Sequence, residues 1–244
     1  MYLDSPLPIG FAHRGGAAVG DENTTAAFGR AVALGYRFIE TDTHATADGV
    51  AVVFHDDTLE RMFGRPGTVR DLRFADLSAL RIGGEAAVPR LDEVLDAWPD
   101  IRFNIDVKSD DAVDPTLKVI SDVAAGDRVL LAAFSDRRLA RMRAVTGPAV
   151  ASSLGMREVA RLWSGALRTP PAGAVAAQIP PRYGRLRLAT RRLIRRAHRM
   201  GLQVHLWTID EPDEMRYFLD LGVDGIMTDR IEVLRDVFQA RGHW

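Results

Sequence analysis

The sequence predicts a single α/β domain folded as a (β/α)8 barrel. Short apolar runs alternate with helical patterns from one end of the chain to the other. The main strands among those runs number eight. The 244 residues, 47% hydrophobic and 27% charged, suit one large soluble domain of the usual barrel size. No linker and no repeat beyond the βα period divides residues 1–244. Eight βα units in a chain of this length fit a closed barrel better than an open doubly wound sheet.

Taken in order, Ile9 to His13 is a first strand, broken by Arg14-Gly15-Gly16. Asp21-Glu22-Asn23-Thr24 offers cap residues for the helical pattern Ala26, Phe28, Ala31, Leu34, which Gly35 ends. Arg37 to His44 is the second strand. A tight turn at Asp48-Gly49 extends it into a β-hairpin reaching His55. Residues 58–90, with Gly64-Arg65-Pro66-Gly67, Gly83-Gly84 and a weak helix near Phe74–Leu80, read as a short insertion over the barrel mouth. Leu91–Trp98 is helical and Pro99 stops it. Strands then follow at Arg102–Lys108, Val129–Phe134, Ala149–Ser153, Ala174–Ile179, Gln203–Thr208 and Asp224–Thr228. Each precedes a helix: about Pro115–Ala125, Asp136–Val145, Arg157–Leu162, Ala189–Met200, Pro212–Leu221 and Ile231–Ala240.

Composition narrows the function. The net charge of −1 gives no global field favouring nucleic acid. With no cysteine, disulfides, thiolate metal sites and a cysteine nucleophile are excluded. The start MYLDSPLPIGFAHRGG has no basic segment leading into a long apolar core. No apolar run approaches the ~18 residues of a membrane span. The expected compartment is the cytoplasm. There is no Walker loop, GxSxG elbow or HExxH motif.

The chemistry-bearing residues fall at the C-terminal ends of the strands, where barrel active sites lie. His13-Arg14 leaves strand one. Glu40 and Asp42 alternate onto one face of strand two, where two carboxylates repel unless a positive charge stands between them; a hard divalent cation suits oxygen ligands. The hairpin returns His55 towards that face, and His44 lies beyond it. Asn104, Asp106 and Lys108 share one face of strand three. Gln178, Trp207-Thr208 and Thr228-Asp229 end later strands. Lys108 stands out because, of 32 basic residues, only it and Lys118 are lysine; a strand-end lysine suggests a need for a compact point charge. His198, His205 and His243 read as structural or surface groups. The fitting chemistry is phosphoryl transfer: a metal polarises phosphate oxygens, Arg14 and Lys108 neutralise charge, and two histidines move protons.

Several motifs together resemble the glycerophosphodiester phosphodiesterases, barrels related in layout to the phosphatidylinositol phospholipases C. They are His13-Arg14-Gly15, Glu22-Asn23-Thr24, Glu40-x-Asp42, Thr46-x-Asp48-Gly49, His55-Asp56, Asp106-x-Lys108, Trp207-Thr208 and the run Gly222 to Asp229. They span nearly the whole chain in family order. The resemblance implies His13 and His55 as the general acid/base pair. It implies Glu40, Asp42 and Asp106 as ligands of one Mg²⁺ or Ca²⁺, and Arg14 and Lys108 as phosphate contacts. Trp207 would pack on the glycerol portion, with Glu22 and Asn23 in support. The implied reaction yields glycerol 3-phosphate and an alcohol, a substrate hydroxyl acting as nucleophile through a cyclic phosphate. Aspartate at 106 departs from the family's usual glutamate and is one methylene shorter. Asp210 stands where the family often has asparagine.

Two other readings compete. One is a lysophospholipase D-like hydrolase, for which Met62, Phe63, Phe74 and Leu77 offer a small apolar lip. The other is a non-catalytic phosphodiester-binding barrel, which loss of either histidine would favour; both are present. The eight arginines of Arg182–Arg199 read as a solvated outer helix, with peripheral contact to an anionic membrane as the alternative. Oligomeric state has no signature in the sequence.

Overall fold

The computed structural model describes residues 2–82 and 84–244. Eight parallel strands close a barrel: β1 (Ile9–His13), β2 (Phe38–Ala45), β3 (Arg102–Val107), β4 (Val129–Ala132), β5 (Ala151–Ser153), β6 (Ala174–Ile179), β7 (Gln203–Leu206) and β8 (Gly225–Thr228). Each pairs with the next, and β1 pairs with both β2 and β8 to complete the ring. One main helix follows each strand: α1 (Thr25–Ala33), α2 (Leu91–Ala97), α3 (Val113–Asp122), α4 (Asp136–Thr146), α5 (Met156–Ser164), α6 (Arg191–His198), α7 (Pro212–Leu221) and α8 (Ile231–Gln239). The expected (β/α)8 barrel is therefore the observed one.

The alternation of side chains along each strand splits the apolar core in two. Phe103, Ile105 and Val107 of β3 pack outward with Leu91, Leu95, Leu117 and Leu139 from the helices. Inside, Ile9, Phe11, Phe38, Leu130, Ala176 and Met227 fill the barrel, with Tyr2 against them. Above this plug the same strand faces turn polar. Phe38 gives way to Glu40 and Asp42, and Phe11 to His13. Gly225 lets the interior close: a Cβ there would lie 2.9 Å from both His205 and Phe11.

Three expectations change. The hairpin after β2 returns only over Ala51–Val53, antiparallel to β2, and leaves His55 on an irregular segment beyond it. None of the described residues in 58–90 is among those lining the cavity at the mouth. The insertion forms its own small core, with Leu59, Val69, Leu77 and Val88 packed on Val52 and Phe54 of the hairpin. Met62, Phe63 and Phe74 are spent against this core, so they make no lip; Gly83 lies outside the described residues. Finally, residues 182–187 are not helical. Arg182–Tyr183 and Leu186–Arg187 pair as a β-hairpin around Gly184, and α6 starts only at Arg191. Among the described residues no helix is long and apolar enough to cross a membrane.

Replacing Gly225 by alanine should overpack the barrel interior and cost about 1–3 kcal/mol. Chemical denaturation reads this directly; an unchanged unfolding midpoint would contradict the close approach of Phe11 and His205.

Candidate active site

Register places the site. His13 pairs with Glu40 across β1 and β2, Glu40 with Asn104 across β2 and β3, and Asp42 with Asp106 one step higher. Side chains in register on adjacent parallel strands point the same way, so all five enter the barrel mouth. Glu40, Asp42 and Asp106 are buried. Three buried acids require compensating charge. Lys108 supplies it: Nζ lies 2.8 Å from both Asp42 Oδ1 and Asp106 Oδ2. Arg14 supplies more, with Nε 3.4 Å from Asp42 Oδ2 and a bond of 2.9 Å to Glu22.

The loop after β1 is shaped to bring these donors in. Arg14 and Asn23 both take positive φ, 50° and 60°. The Arg14 backbone N–H donates to Glu40 Oε2 at 3.3 Å. Asn23, fully buried, donates from Nδ2 to Asp42 Oδ2 at 2.8 Å and accepts from Thr41. Gly15 permits the turn, since a Cβ there would stand 2.7 Å from Phe28. Thr24 then caps α1 by accepting from Ala27 N–H.

Each expected proton carrier has a carboxylate behind it. His13 Nδ1 is 2.6 Å from Asp229 Oδ1, and His55 Nδ1 is 2.5 Å from Asp56 Oδ1. Both Nε2 atoms are left for other partners; that of His13 is 3.7 Å from Glu40. Their surroundings bias them oppositely. Burial pushes His13 down, but Glu40 and Asp229 together lift it above its ordinary value. Burial pushes His55 down, Lys108 adds to this, and Asp42 does not offset it. Arg61 ties the outer edge together by bonding Glu22 and Asp56 at once.

The carboxylates show a shortage of positive charge. Burial and the neighbouring Asp42 push Glu40 up to about 7. Asp42 goes the other way: burial raises it, but Lys108 and Arg14 hold it below the usual range. Asp106 Oδ1 is buried without a hydrogen-bond partner. An all-oxygen set with an orphaned buried oxygen fits a hard divalent cation in kind. As the side chains stand, Lys108 occupies the place between Asp42 and Asp106. Among the described residues no three Asp, Glu or His side chains are gathered closely enough to hold an ion.

The cavity extends well beyond these groups, to about 510 Å³. Its second arm is apolar, running past Phe134, Leu154, Val159, Ile179 and Leu188 to Trp163, Tyr183 and Leu186. Trp207 stands where the arms meet, edge-on to Phe134 at 5.7 Å. Residues His13, Arg14, Glu40, Asp42, His55, Asp106, Lys108 and Trp207, expected from the sequence, all line this one cavity. His44 does not; it is buried with Nε2 3.1 Å from the His55 carbonyl. The carboxylate partners Asp229 and Asp56, the Arg61 clamp and the apolar arm were not assigned from sequence. The Thr228-Asp229 and His55-Asp56 pairs were the available signals for the first two.

Comparison with known proteins agrees with this geometry. The sequence model of the glycerophosphoryl diester phosphodiesterase family matches residues 13–233. The chain belongs to that family. It is thus an enzyme of the phosphoric diester hydrolase class. A Mycobacterium tuberculosis protein named "probable glycerophosphodiester phosphodiesterase 2" is 41% identical, over 97% of this chain and 92% of its own. A human lysophospholipase D is 26% identical over 92% of this chain and 84% of its own. An Oleispira antarctica phosphodiesterase, solved in complex with sn-glycerol-3-phosphate, superposes with a TM-score of 0.80 at 20% identity, covering 96% of this chain and 97% of that one. At that identity the likeness is one of fold.

Below the acids runs a neutral chain. Asn104 donates to Gln178 at 3.3 Å, Gln178 Nε2 lies 3.4 Å from His205 Nδ1, and His205 Nε2 lies 2.9 Å from Gln203 Oε1. Complete burial pushes His205 from its ordinary 6.5 down to about 3. The unfolded chain therefore binds a proton below pH 6.5 that the folded chain refuses until about pH 3. Stability should fall across that window, by up to ~1.4 kcal/mol per pH unit, and be untouched above it. Urea titrations of His205→Gln should show a shallower fall than wild type; equal slopes would contradict the assignment.

Proposed function

We propose that the chain hydrolyses glycerophosphodiesters to glycerol 3-phosphate and an alcohol by histidine acid/base chemistry at a site that takes one divalent cation. The observation that carries this is the pair of carboxylate-backed histidines lining one cavity with a buried, lysine-bridged acid cluster. A phosphodiester brings a negative charge to that cluster. Arg14 and Lys108 are the side chains to meet it. Glu40, Asp42 and Asp106 would hold the Mg²⁺ or Ca²⁺, which when bound polarises the phosphate and raises its electrophilicity.

The opposed biases of the two rings suit two proton transfers. His55, held neutral, takes the proton of a glycerol hydroxyl as that oxygen bonds to phosphorus. His13, held protonated by Asp229 and Glu40, gives a proton to the departing alcohol oxygen as its P–O bond breaks. A cyclic phosphate results. Water then adds to phosphorus with the roles reversed, the ring opens, and both histidines return to their starting states. Asp56 and Asp229 fix each ring's orientation and leave its Nε2 for the substrate.

A second reading draws on the apolar arm. A single acyl chain on the glycerol would fit along Phe134, Val159 and Leu188 better than a solvated head group would. Lysophospholipids are then substrates beside, or ahead of, the small diesters.

Purified His13→Ala and His55→Ala should each lose at least ~10²-fold in turnover on glycerophosphocholine while remaining folded by circular dichroism. Near-normal activity in both would remove the acid/base assignment. Running lysophosphatidylcholine alongside ranks the two substrate readings by their kcat/KM.

A further inference from the structure

Charge is distributed unevenly along this near-neutral chain. Residues 137–209 contain fifteen arginines, no lysine and one acid, Glu158. That stretch carries +14, and the remainder −15. Glu158 is already taken, paired with Arg143 at 2.8 Å. Six of the fifteen arginines stand on the elements that border the apolar arm, whereas Arg137, Arg138 and Arg141 pair with Asp110 and Asp114. Arg182, Arg185 and Arg187 lie on the exposed 182–187 hairpin, Arg157 on the first turn of α5, and Arg191 and Arg192 on the first turn of α6. These six make no ion pair among the described residues.

Between the arginines stand large apolar side chains that the fold leaves in water. Tyr183 is 61% exposed, Leu186 50%, Met156 48% and Trp163 40%. On α5, Met156, Val159, Ala160 and Trp163 fall at i, i+3, i+4 and i+7. That is one helix face. In this helix only Leu162 is buried in the core. The face instead lines the cavity together with Tyr183 and Leu186 of the hairpin. Trp163 Nε1 reaches the Arg187 carbonyl at 3.4 Å, which joins helix and hairpin into one surface.

We propose that this surface, the 182–187 hairpin with the outer face of α5, docks on an anionic lipid bilayer. Unpaired arginines beside exposed Trp, Tyr, Leu and Met side chains are the chemistry of an interfacial site. The cations meet lipid phosphates and the apolar tips enter the head-group layer. Nucleic acid would satisfy the arginines but would leave the apolar tips in water. The surface is continuous with the catalytic cavity, so docking would place the apolar arm's opening against the membrane. In giving docking that use, the proposal rests on the phosphodiester reading above.

The test is co-sedimentation of the full chain with vesicles of phosphatidylcholine alone, or of equal parts phosphatidylcholine and phosphatidylglycerol. Wild type should bind the mixed vesicles, release in high salt and ignore the neutral ones. The triple variant Arg182→Gln, Arg185→Gln, Arg187→Gln should bind about tenfold more weakly or worse. Its thermal midpoint and its hydrolysis of soluble glycerophosphocholine should match wild type. Tyr183→Ser with Leu186→Ser should also lose binding, although its charge is untouched. The proposal is overturned if wild type binds neither vesicle, binds both equally, or prefers a DNA duplex, or if the arginine variant binds as wild type does. Binding without any hydrolysis would sink the diesterase reading and leave the surface standing. Hydrolysis without binding would do the reverse.

Discussion

Burying three carboxylates on two neighbouring strands is the constraint that shapes this molecule. Glu40, Asp42 and Asp106 sit in register inside the barrel, where unpaired charge is costly. Lys108, two residues beyond Asp106 on the same strand line, bridges Asp42 and Asp106. The β1 loop is bent into two left-handed residues so that Arg14 and Asn23 reach Asp42 as well. What remains uncompensated marks the place for chemistry: the Glu40 carboxyl is pushed up to about 7 and Asp106 keeps a bare oxygen. The side chains of Arg14 and Lys108 that stabilise the acids at rest are those that would meet a substrate phosphate.

The cavity has two unlike ends. Charged groups from β1, β2 and β3 make one, and apolar groups from the loops after β4, β5 and β6 make the other. Trp207 on the segment after β7 stands between them. This division matches a molecule with an ionic head and an apolar tail. It also follows from the strand plan, since polar residues in register on neighbouring strands reinforce one another's position. Six of the arginines in residues 137–209 stand on elements that border the apolar end, while Arg137, Arg138 and Arg141 pair with Asp110 and Asp114.

The parts legible in the sequence were those governed by short-range periodicity. Two-residue alternation alone placed Glu40 with Asp42 and Asp106 with Lys108, and the βα rhythm gave the barrel. Contacts between distant residues were not legible. Asp229 reaches His13 across 216 positions, through closure of β8 on β1. Phe134 read as the end of a strand, yet β4 stops at Ala132 and frees the ring for the mouth. Residues 182–187 read as part of the arginine-rich helix region; Gly184 turns them into a hairpin instead. The insertion at 58–90 read as an excursion over the mouth, and its packing on the β2 hairpin was not legible.

The central claim is that the acid cluster and the two histidines cleave the bond between phosphate and the non-glycerol alcohol. Phosphorus NMR of glycerophosphocholine incubated with the purified chain and Mg²⁺ or Ca²⁺ measures this directly. The expected result is conversion of the diester signal to glycerol 3-phosphate, transient glycerol cyclic phosphate, and arrest on exhaustive chelation. A persistent diester signal, release of phosphocholine in place of glycerol 3-phosphate, or undiminished turnover after chelation would contradict it.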